Sequence, residues 1–458
     1  MKKFVFLLVL LAGTLAYAQN IVGDWQGTLK VGPTELRLVL HITKDNSGFK
    51  ATLDSIDQGA NGIPVSSVSL KDSRLDLTIE AVHGTYQGKV NREGTVITGT
   101  WTQTQPLPLE FKRAKAPIKG TKSTAELQGR RPQDPVKPYP YREEELTYEN
   151  KVQGVTLGAT LTIPPGKGPF PAVVLITGSG PQDRDEALLG HRPFLVLSDY
   201  LTRKGIEVLR ADDRGVGKST GSFGKATTAD FATDVEAGVA YLKTRPEVDQ
   251  HKIGLIGHSE GGVIAPMVAA RNPDVAFIVM MAGSGVPGDA IITEQLRLIE
   301  EANGKSHEQA VKDAAEEAEV LALVKREKDE AALENELREK LAGRIPEAQL
   351  GGAIQQVTSP WFRYFIVYDP SATLAKVKCP VLAINGEKDL QVPPRQNLPA
   401  IRNALEKSGN KDFEVDELPG LNHLFQTAKT GSPSEYGSIE ETIAPVALEK
   451  MASWILKH

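Results

Sequence analysis

Residues 252–262 read KIGLIGHSEGG, an apolar run that leads directly into a Gly-x-Ser-x-Gly pentapeptide. The apolar run predicts a buried strand, and the small residues at 262–270 predict a helix. Between them we expect a sharp turn with Ser259 at its apex, because a side chain at Gly257 or Gly261 would collide with neighbouring backbone. The hydroxyl would then stand at the carboxyl edge of a sheet, facing the positive end of the helix. We therefore predict that Ser259 is a nucleophile rather than an ordinary helix N-cap.

Around this stretch, the chain from 142 to 458 alternates between strand and helix patterns. A hairpin is predicted at 146–150 and 155–163, and buried apolar strands at 172–176, 206–211, 253–256, 276–280 and 381–384. Such continuous β-branched runs, separated by helical stretches, indicate a mainly parallel sheet with helices on both faces. The fold class is therefore α/β, and ligands are expected at the carboxyl ends of the strands.

The alternation pauses at about 288–358, where Glu, Lys, Ala and Leu predict helices and no strand. Because this segment follows a strand that ends near Met281, we predict a helical cap over the pocket. The alternative is a solvated helical hairpin on the surface. Three aromatic residues follow, Trp361, Phe362 and Phe365, which predict either an acyl pocket or a hydrophobic seam between the cap and the core.

The N-terminal part differs in pattern. Residues 20–112 alternate apolar and polar side chains between turn formers, which predicts about eight short strands in a small antiparallel barrel or sandwich. Its opening, GDWQG at 23–27, resembles the start of lipocalin-like barrels, and Trp25 and Trp101 are expected to fill the interior. The prolines and polar residues of 113–141 predict a semi-rigid linker.

The first residues are typical of a cleaved export signal. Lys2 and Lys3 precede an apolar run at 4–11, and Ala-Tyr-Ala at 16–18 fits signal peptidase. We predict a signal peptide at 1–18, a periplasmic or extracellular location and no stable membrane insertion, because no apolar run is long enough to span a bilayer. A net charge of −5 without basic clusters argues against nucleic-acid binding.

Cofactor chemistry finds no support in the sequence. The single cysteine, Cys379, lies in a predicted core strand, so disulfides are not expected. No metal-binding motif is present, and we expect neither a metal nor another cofactor. Residues 213–220 read DRGVGKST, but a phosphate loop would need glycine where Asp212 stands, and a carboxylate repels phosphate. We interpret this segment as a turn after a strand, with Arg214 bracing the nucleophile region.

A serine hydroxyl needs a base, and the base needs an orienting acid. Of eight histidines, His423 is the candidate base because it follows a short predicted strand at 413–418. His258 adjoins the serine and is interpreted as packing, whereas His191 is open to an indirect role or a substrate contact. Asp389, after the strand at 381–384, is the predicted acid.

Glu387 is the alternative acid, two residues earlier. The chain order of Ser259, Asp389 and His423 is that of α/β-hydrolases and differs from the orders in chymotrypsin and subtilisin. Each of the three residues follows its own predicted strand. That spacing favours one catalytic site at a single sheet edge.

An oxyanion needs two preorganised backbone donors. We expect one from the N–H of Glu260 and the second from the loop at 177–182, where Ser179 is favoured, Gln182 is next and Gly180 stays open. Pro181 has no N–H. Arg184 is interpreted as a salt-bridged brace for this loop, with contact to a substrate anion as the alternative.

The motifs TGSGPQDRD (177–185), DRGVGKS (213–219), GHSEGG (257–262), NGEKDLQVP (385–393) and GLNH (420–423) resemble those of secreted bacterial α/β-hydrolase-fold serine carboxylesterases. These are related to the dienelactone-hydrolase and prolyl-oligopeptidase-like groups. The resemblance covers about 143–458 and implies activity on short acyl esters through an acyl-enzyme. The chain departs from the pattern twice: many relatives have histidine where Thr177 stands, and dienelactone hydrolases proper use cysteine where this chain has Ser259.

The expected partner is therefore a small-molecule ester, and the sequence leaves a homo-oligomer open. One alternative is a peptidase or amidase, since oligopeptidases share this catalytic domain, although about ninety N-terminal residues are too few for their propeller. The other is a lipid- or glycan-binding protein with a vestigial hydrolase domain. The natural acyl and alcohol groups cannot be predicted from the sequence.

Overall fold

The computed structural model describes residues 21–31, 34–45, 48–56, 60–79, 82, 84–103, 106–114, 131–344 and 347–458. The predicted signal peptide lies outside these residues, as does the middle of the predicted linker, so both stay predictions. Within the described ranges, no helix combines the length and the apolar character needed to cross a bilayer.

The N-terminal strands form one antiparallel, nearly closed barrel. Its order is β4-β3-β2-β1-β9-β8-β7-β6-β5. The strands are β1 (Gly23–Val31), β2 (Thr34–Asp45), β3 (Gly48–Ser55), β4 (Ala60–Val65), β5 (Ser67–Lys71), β6 (Arg74–Ile79), β7 (Gly84–Val90), β8 (Val96–Thr102) and β9 (Pro106–Arg113). The period-two pattern of the sequence is visible in β7, where buried and exposed residues alternate along the whole strand.

Large aromatic side chains fill this barrel, as the sequence predicted. Trp25 is fully buried and Trp101 nearly so. The indole N–H of Trp25 donates to the carbonyl of Ile21 at 2.9 Å, and the hydroxyl of the buried Tyr86 donates to a backbone carbonyl on β8. Burial of these rings costs little free energy because most of their polar atoms keep a hydrogen-bond partner. The interior is therefore a packed core, while the likeness to lipocalins stays a prediction.

The second sheet is mainly parallel and has the order β10-β11-β13-β12-β14-β15-β16-β17. Strands β10 and β11 form an antiparallel hairpin, β11 is antiparallel to β13, and all later neighbours are parallel. The strands are β10 (Arg142–Asn150), β11 (Val155–Ile163), β12 (Phe170–Ile176), β13 (Glu207–Ala211), β14 (Val248–His258), β15 (Phe277–Met281), β16 (Val381–Gly386) and β17 (Phe413–Leu418). The antiparallel hairpin and the buried parallel strands are those that the sequence predicted.

Helices cover both faces of this sheet, with a separate hydrophobic core on each side. The α-helices of the described residues are α1 (Pro193–Arg203), α2 (Thr228–Leu242), α3 (Gly261–Ala269), α4 (Gly288–Ala302), α5 (His307–Arg326), α6 (Glu330–Leu341), α7 (Glu347–Thr358), α8 (Pro360–Val367), α9 (Pro370–Leu374), α10 (Pro394–Ser408) and α11 (Pro445–Ile455). Helices α4 to α8 lie between β15 and β16 and form the cap, which has its own apolar core. The predicted fold class, a capped α/β sheet preceded by a small antiparallel barrel, is confirmed.

Candidate active site

Ser259 occupies a strained turn between β14 and α3. Its φ of 53° lies in the left-handed region that few residues other than glycine adopt. The turn is possible because its neighbours lack side chains: a Cβ on Gly257 would lie 1.9 Å from the carbonyl oxygen of Gly261. A Cβ on Gly261 would lie 2.2 Å from the carbonyl oxygen of Ile176. The turn therefore follows from the glycine spacing, and its strain is of the kind that functional sites retain.

His423 and Asp389 form a hydrogen-bonded pair on the loops after β17 and β16. Nδ1 of His423 lies 2.8 Å from Oδ2 of Asp389, and both side chains are buried. The other carboxylate oxygen accepts the backbone N–H groups of Gln391 and Val392 at 2.8 and 2.9 Å. These donors fix the carboxylate, which in turn fixes the imidazole and leaves its Nε2 for proton exchange.

A cavity of about 600 Å³ brings the predicted residues together: Ser259, His423 and Glu260 all line it. In the described part of the chain, the Ser259 hydroxyl makes no hydrogen bond to the imidazole. Such bonds are often long without substrate and shorten in the reactive complex. The structure therefore places the candidate nucleophile and base at one cavity.

The two alternative residues lie elsewhere. Glu387 accepts the backbone N–H of Gly420 at 2.8 Å, and among the described residues the hydrogen-bond partner of His423 Nδ1 is Asp389 instead. His191 is buried, with its ring nitrogens 3.0 Å from the hydroxyl of Thr442 and 3.2 Å from the carbonyl of Tyr436. Burial lowers the pKa of His191 to about 4, so it is neutral. It is not among the residues lining the cavity, which leaves it a structural role.

In the candidate oxyanion loop, the structure contradicts the prediction that Gln182 is a donor. The N–H of Gln182 donates to Oδ2 of Asp213 at 2.9 Å, so it is engaged and does not face an oxyanion. Among the described residues, none accepts a hydrogen bond from the N–H of Ser179 or of Glu260. The N–H of Gly180, which the sequence left open, has no such acceptor either, but Gly180 is not among the residues that line the cavity, whereas Ser179 and Glu260 are. The N–H groups of Ser179 and Glu260 are therefore the candidate donors.

Asp213 also explains how the loop is held where Thr177 departs from the family pattern. The Thr177 hydroxyl donates to Oδ1 of Asp213 at 2.7 Å. Burial raises the pKa of Asp213 well above its ordinary value, although its hydrogen bonds to Thr177 and to the N–H of Gln182 oppose this. The side chains of Thr177 and of the partly buried Asp213 thus hold the loop in place.

The two arginines of the motifs serve as braces. Arg184 donates from Nε and Nη2 to the two oxygens of Asp212 at 2.9 and 2.7 Å, and from Nη1 to Glu145. It is therefore the predicted salt-bridged brace, with its donors already used. Arg214 donates to Asp234 of α2 at 2.8 Å, so it braces that helix rather than the nucleophile turn.

The three aromatic residues on α8 fit both roles proposed for them. Trp361, Phe362 and Phe365 line the cavity and also pack in the core of the cap. The Trp361 indole N–H donates to Oε1 of Glu260 at 2.8 Å, which ties the cap to the residue after Ser259. Burial raises the pKa of this Glu260 carboxyl, and its hydrogen bonds to Thr228 and Trp361 counteract the shift. Nothing in the sequence pairs Trp361 with Glu260, since 100 residues separate them.

His258 is the residue whose role the sequence concealed. It was interpreted as packing, yet Nδ1 lies 2.9 Å from Oε1 of Glu186 and Nε2 lies 3.0 Å from the backbone carbonyl of His423. Its position beside Ser259 was visible in the motif, but its partners come from distant loops. His258 therefore packs, as predicted, against the rings of His423 and Phe425, and it also makes two polar contacts that the sequence did not indicate.

No group of three or more His, Cys, Asp or Glu side chains within the described ranges has a geometry suited to a metal ion. Cys379 is a free thiol whose pKa is raised by burial to about 12. It is therefore protonated at neutral pH and has no nucleophilic character.

Fold and site together define an α/β-hydrolase. The family model described as serine aminopeptidase S33 (Hydrolase_4) matches residues 194–427, just over half of the chain. The chain belongs to this family.

Relatives span most of the catalytic region. Esterase EstD of Thermotoga maritima is 26% identical over 328 residues, which cover 71% of this chain and 70% of that protein. An uncharacterised 31.7 kDa protein from the traX-finO intergenic region of Escherichia coli is 26% identical over 322 residues, 69% of this chain and 99% of its own.

Solved structures are similar at lower identity. Est1E of Butyrivibrio proteoclasticus, with ferulic acid bound, has a TM-score of 0.41 and 19% identity over 68% of this chain and 98% of its own. The α/β-hydrolase GrgF of Penicillium sp. sh18 has a TM-score of 0.43 and 20% identity over 70% of this chain and 99% of its own.

Proposed function

We propose that the protein hydrolyses short-chain carboxylic esters of small molecules through an acyl-enzyme on Ser259. The observation that carries this proposal is the Asp389–His423 pair at the same cavity as a serine held in a strained turn. The relative named an esterase supports the choice of ester as the scissile bond.

The first half of the reaction forms the acyl-enzyme. His423 Nε2 takes the Ser259 proton as Oγ bonds to the ester carbonyl carbon, and Asp389 stabilises the imidazolium. The negative charge on the carbonyl oxygen is met by the N–H groups of Ser179 and Glu260, which have no other described acceptor. The imidazolium then gives its proton to the leaving alcohol oxygen as the ester C–O bond breaks.

The second half repeats these steps with water. His423 takes a proton from water as the water oxygen attacks the acyl carbon. It then gives this proton to Oγ of Ser259 as the carboxylic acid leaves. The cavity walls favour small apolar groups, because Ile291, Ile292 and Leu296 of α4 face it together with the aromatic residues of α8. A volume of about 600 Å³ suits a small-molecule substrate.

A panel of substrates separates this proposal from a peptidase. We expect the wild-type protein to hydrolyse p-nitrophenyl acetate and butyrate and to leave peptide p-nitroanilides nearly intact, with Ser259→Ala reducing ester turnover by ~10⁴-fold or more. Faster cleavage of the anilides would favour the peptidase. Ester turnover unchanged in Ser259→Ala would contradict the proposal, and inert wild-type protein would favour the binding role.

We also propose that the protein is exported. Support comes from the sequence alone: two lysines, an apolar run and Ala-Tyr-Ala within residues 1–18. Protein from a periplasmic or culture fraction should begin at Gln19 when its N-terminus is sequenced. A mature protein that keeps residues 1–18 in the cytoplasm would contradict export.

A further inference from the structure

Two buried groups beside Ser259 take no part in the proton transfers described above. His258 ends β14 directly before the serine, and Glu186 follows the candidate oxyanion loop. Both are about 95% buried, and both line the cavity. Glu186 also has a left-handed backbone, with φ of 51°, a conformation that costs free energy in a residue other than glycine.

The hydrogen bonds of His258 define its charge. Its Nε2 lies 3.0 Å from the carbonyl oxygen of His423, which can only accept, so Nε2 carries a proton. Its Nδ1 lies 2.9 Å from Oε1 of Glu186, and a carboxylate also only accepts. With Glu186 as a carboxylate, Nδ1 also carries a proton, and the pair is an imidazolium and a carboxylate in contact.

The surroundings favour this charged form. Burial lowers the pKa of His258, but the carboxylate of Glu186 outweighs burial, and Asp389 adds a smaller attraction, so that the pKa ends above its ordinary value. A further titratable group that faces His258 is the ring of His423, whose centroid is 4.9 Å away. A buried charge of this kind is retained only when its partner is equally well fixed.

Glu186 extends the contact to the oxyanion loop. Its Oε1 also accepts the N–H of Gly178 at 2.8 Å, one residue before Ser179. There is little free space here, since a Cβ on Gly178 would lie 3.3 Å from Cβ of Ser259. One carboxylate oxygen and one imidazole thus connect the loop after β12 to the loop after β17, past the nucleophile.

We propose that the Glu186–His258 ion pair is a positioning bracket that holds the Ser179 N–H and the His423 ring in register with Ser259. The inference rests on the proposed function, and it assigns both residues an action through their neighbours rather than on the substrate. Register matters because a misplacement of about 1 Å in an active site costs on the order of 10² in rate.

The test compares Glu186→Gln and His258→Gln with wild type, each corrected for active sites counted with a fluorophosphonate. We expect kcat to fall by about tenfold or more in both variants. KM should stay within about threefold, because the change affects the transition state more than substrate binding.

The pH dependence of kcat is a second measurement, and a purely structural role of the pair would not change it. The ion pair is fully formed below the ordinary pKa of histidine. It is lost as pH rises through the raised pKa of His258 in the folded protein. In Glu186→Gln the imidazole keeps its burial but loses its counter-charge, so it loses its proton at lower pH. The kcat ratio of wild type to Glu186→Gln should therefore grow as pH rises from the lower His258 pKa of the variant to the raised His258 pKa of wild type, and fall again above it.

A matched control is His191→Gln, since His191 is also a buried histidine with hydrogen-bond partners at both ring nitrogens but does not line the cavity. It should lower thermal stability and leave kcat per active site within about twofold. An equal loss of kcat in His191→Gln, or none in Glu186→Gln and His258→Gln at any pH, overturns the bracket alone. Wild-type protein without ester hydrolysis overturns the proposed function and the bracket with it.

Discussion

The orientation of His423 depends on a single carboxylate. Asp389 uses one oxygen for the imidazole and the other for two backbone N–H groups, so it acts as a fixed acceptor. Replacing it with asparagine keeps the shape but presents a donor to Nδ1 in some orientations and favours the wrong tautomer. The substitution therefore lowers the catalytic rate far more than it lowers the stability of the fold.

We expect Asp389→Asn to lower kcat for p-nitrophenyl butyrate by ~10⁴-fold. The melting temperature should change little, since the backbone donors keep an acceptor. The matched control is Glu387→Gln, two residues away, whose carboxylate contacts only the N–H of Gly420 among the bonds described here. Loss of activity in Glu387→Gln, with activity retained in Asp389→Asn, would identify Glu387 and not Asp389 as the acid.

At this scale the sequence was sufficient where the end of a strand decides the position of a residue. Ser259, Asp389 and His423 each follow a strand, and parallel strands bring their carboxyl ends to one edge. The sequence was insufficient where the role of a residue depends on a contact between distant loops. Nothing in the sequence indicates that Asp213 takes the N–H of Gln182 or that Glu186 pairs with His258.

Among the elements, the strands were more predictable than the cap. Buried apolar runs place the cores of β12 to β16, because strands covered on both faces must be continuously apolar. The cap was predicted as helical from its composition, but the boundaries of α4 to α8 and their packing were not. Those depend on the cap's own core, which includes Leu333, Leu337 and Ile366.

Helix α8 shows what an element adds to the site. Its sequence predicted either an acyl pocket or a seam, and the structure shows one helix that packs in the cap and also lines the cavity. The deciding contact is between the Trp361 indole and the Glu260 carboxylate. The cap therefore has a polar attachment beside a candidate oxyanion donor, in addition to its apolar packing.

The stability of the whole molecule should depend on pH through Glu207. This side chain begins β13 and is fully buried, and neither carboxyl oxygen has a hydrogen-bond partner among the described residues. Burial raises its pKa to about 8. Between the ordinary pKa of a glutamate and pH 8, Glu207 binds its proton more tightly in the folded protein than in the unfolded chain. The free energy of unfolding therefore falls as pH rises over this range.

Replacement of Glu207 by glutamine removes this titration. We expect Glu207→Gln to match wild type near pH 4.5 and to melt ~3 °C or more above it at pH 8, measured by calorimetry. The matched control is Glu149→Gln, an exposed carboxylate on β10, which should follow the wild-type profile. A difference in melting temperature that is constant with pH, or that shrinks as pH rises, would contradict the assignment.

The most direct test of the proposed chemistry is the covalent labelling of wild-type protein with a fluorophosphonate, followed by intact-mass and peptide mass spectrometry. Catalysis by an activated Ser259 predicts a single adduct on the peptide that contains this residue, with none in Ser259→Ala and slow labelling in His423→Ala. Wild-type protein that hydrolyses esters but carries its adduct on another residue, or carries none, would contradict it.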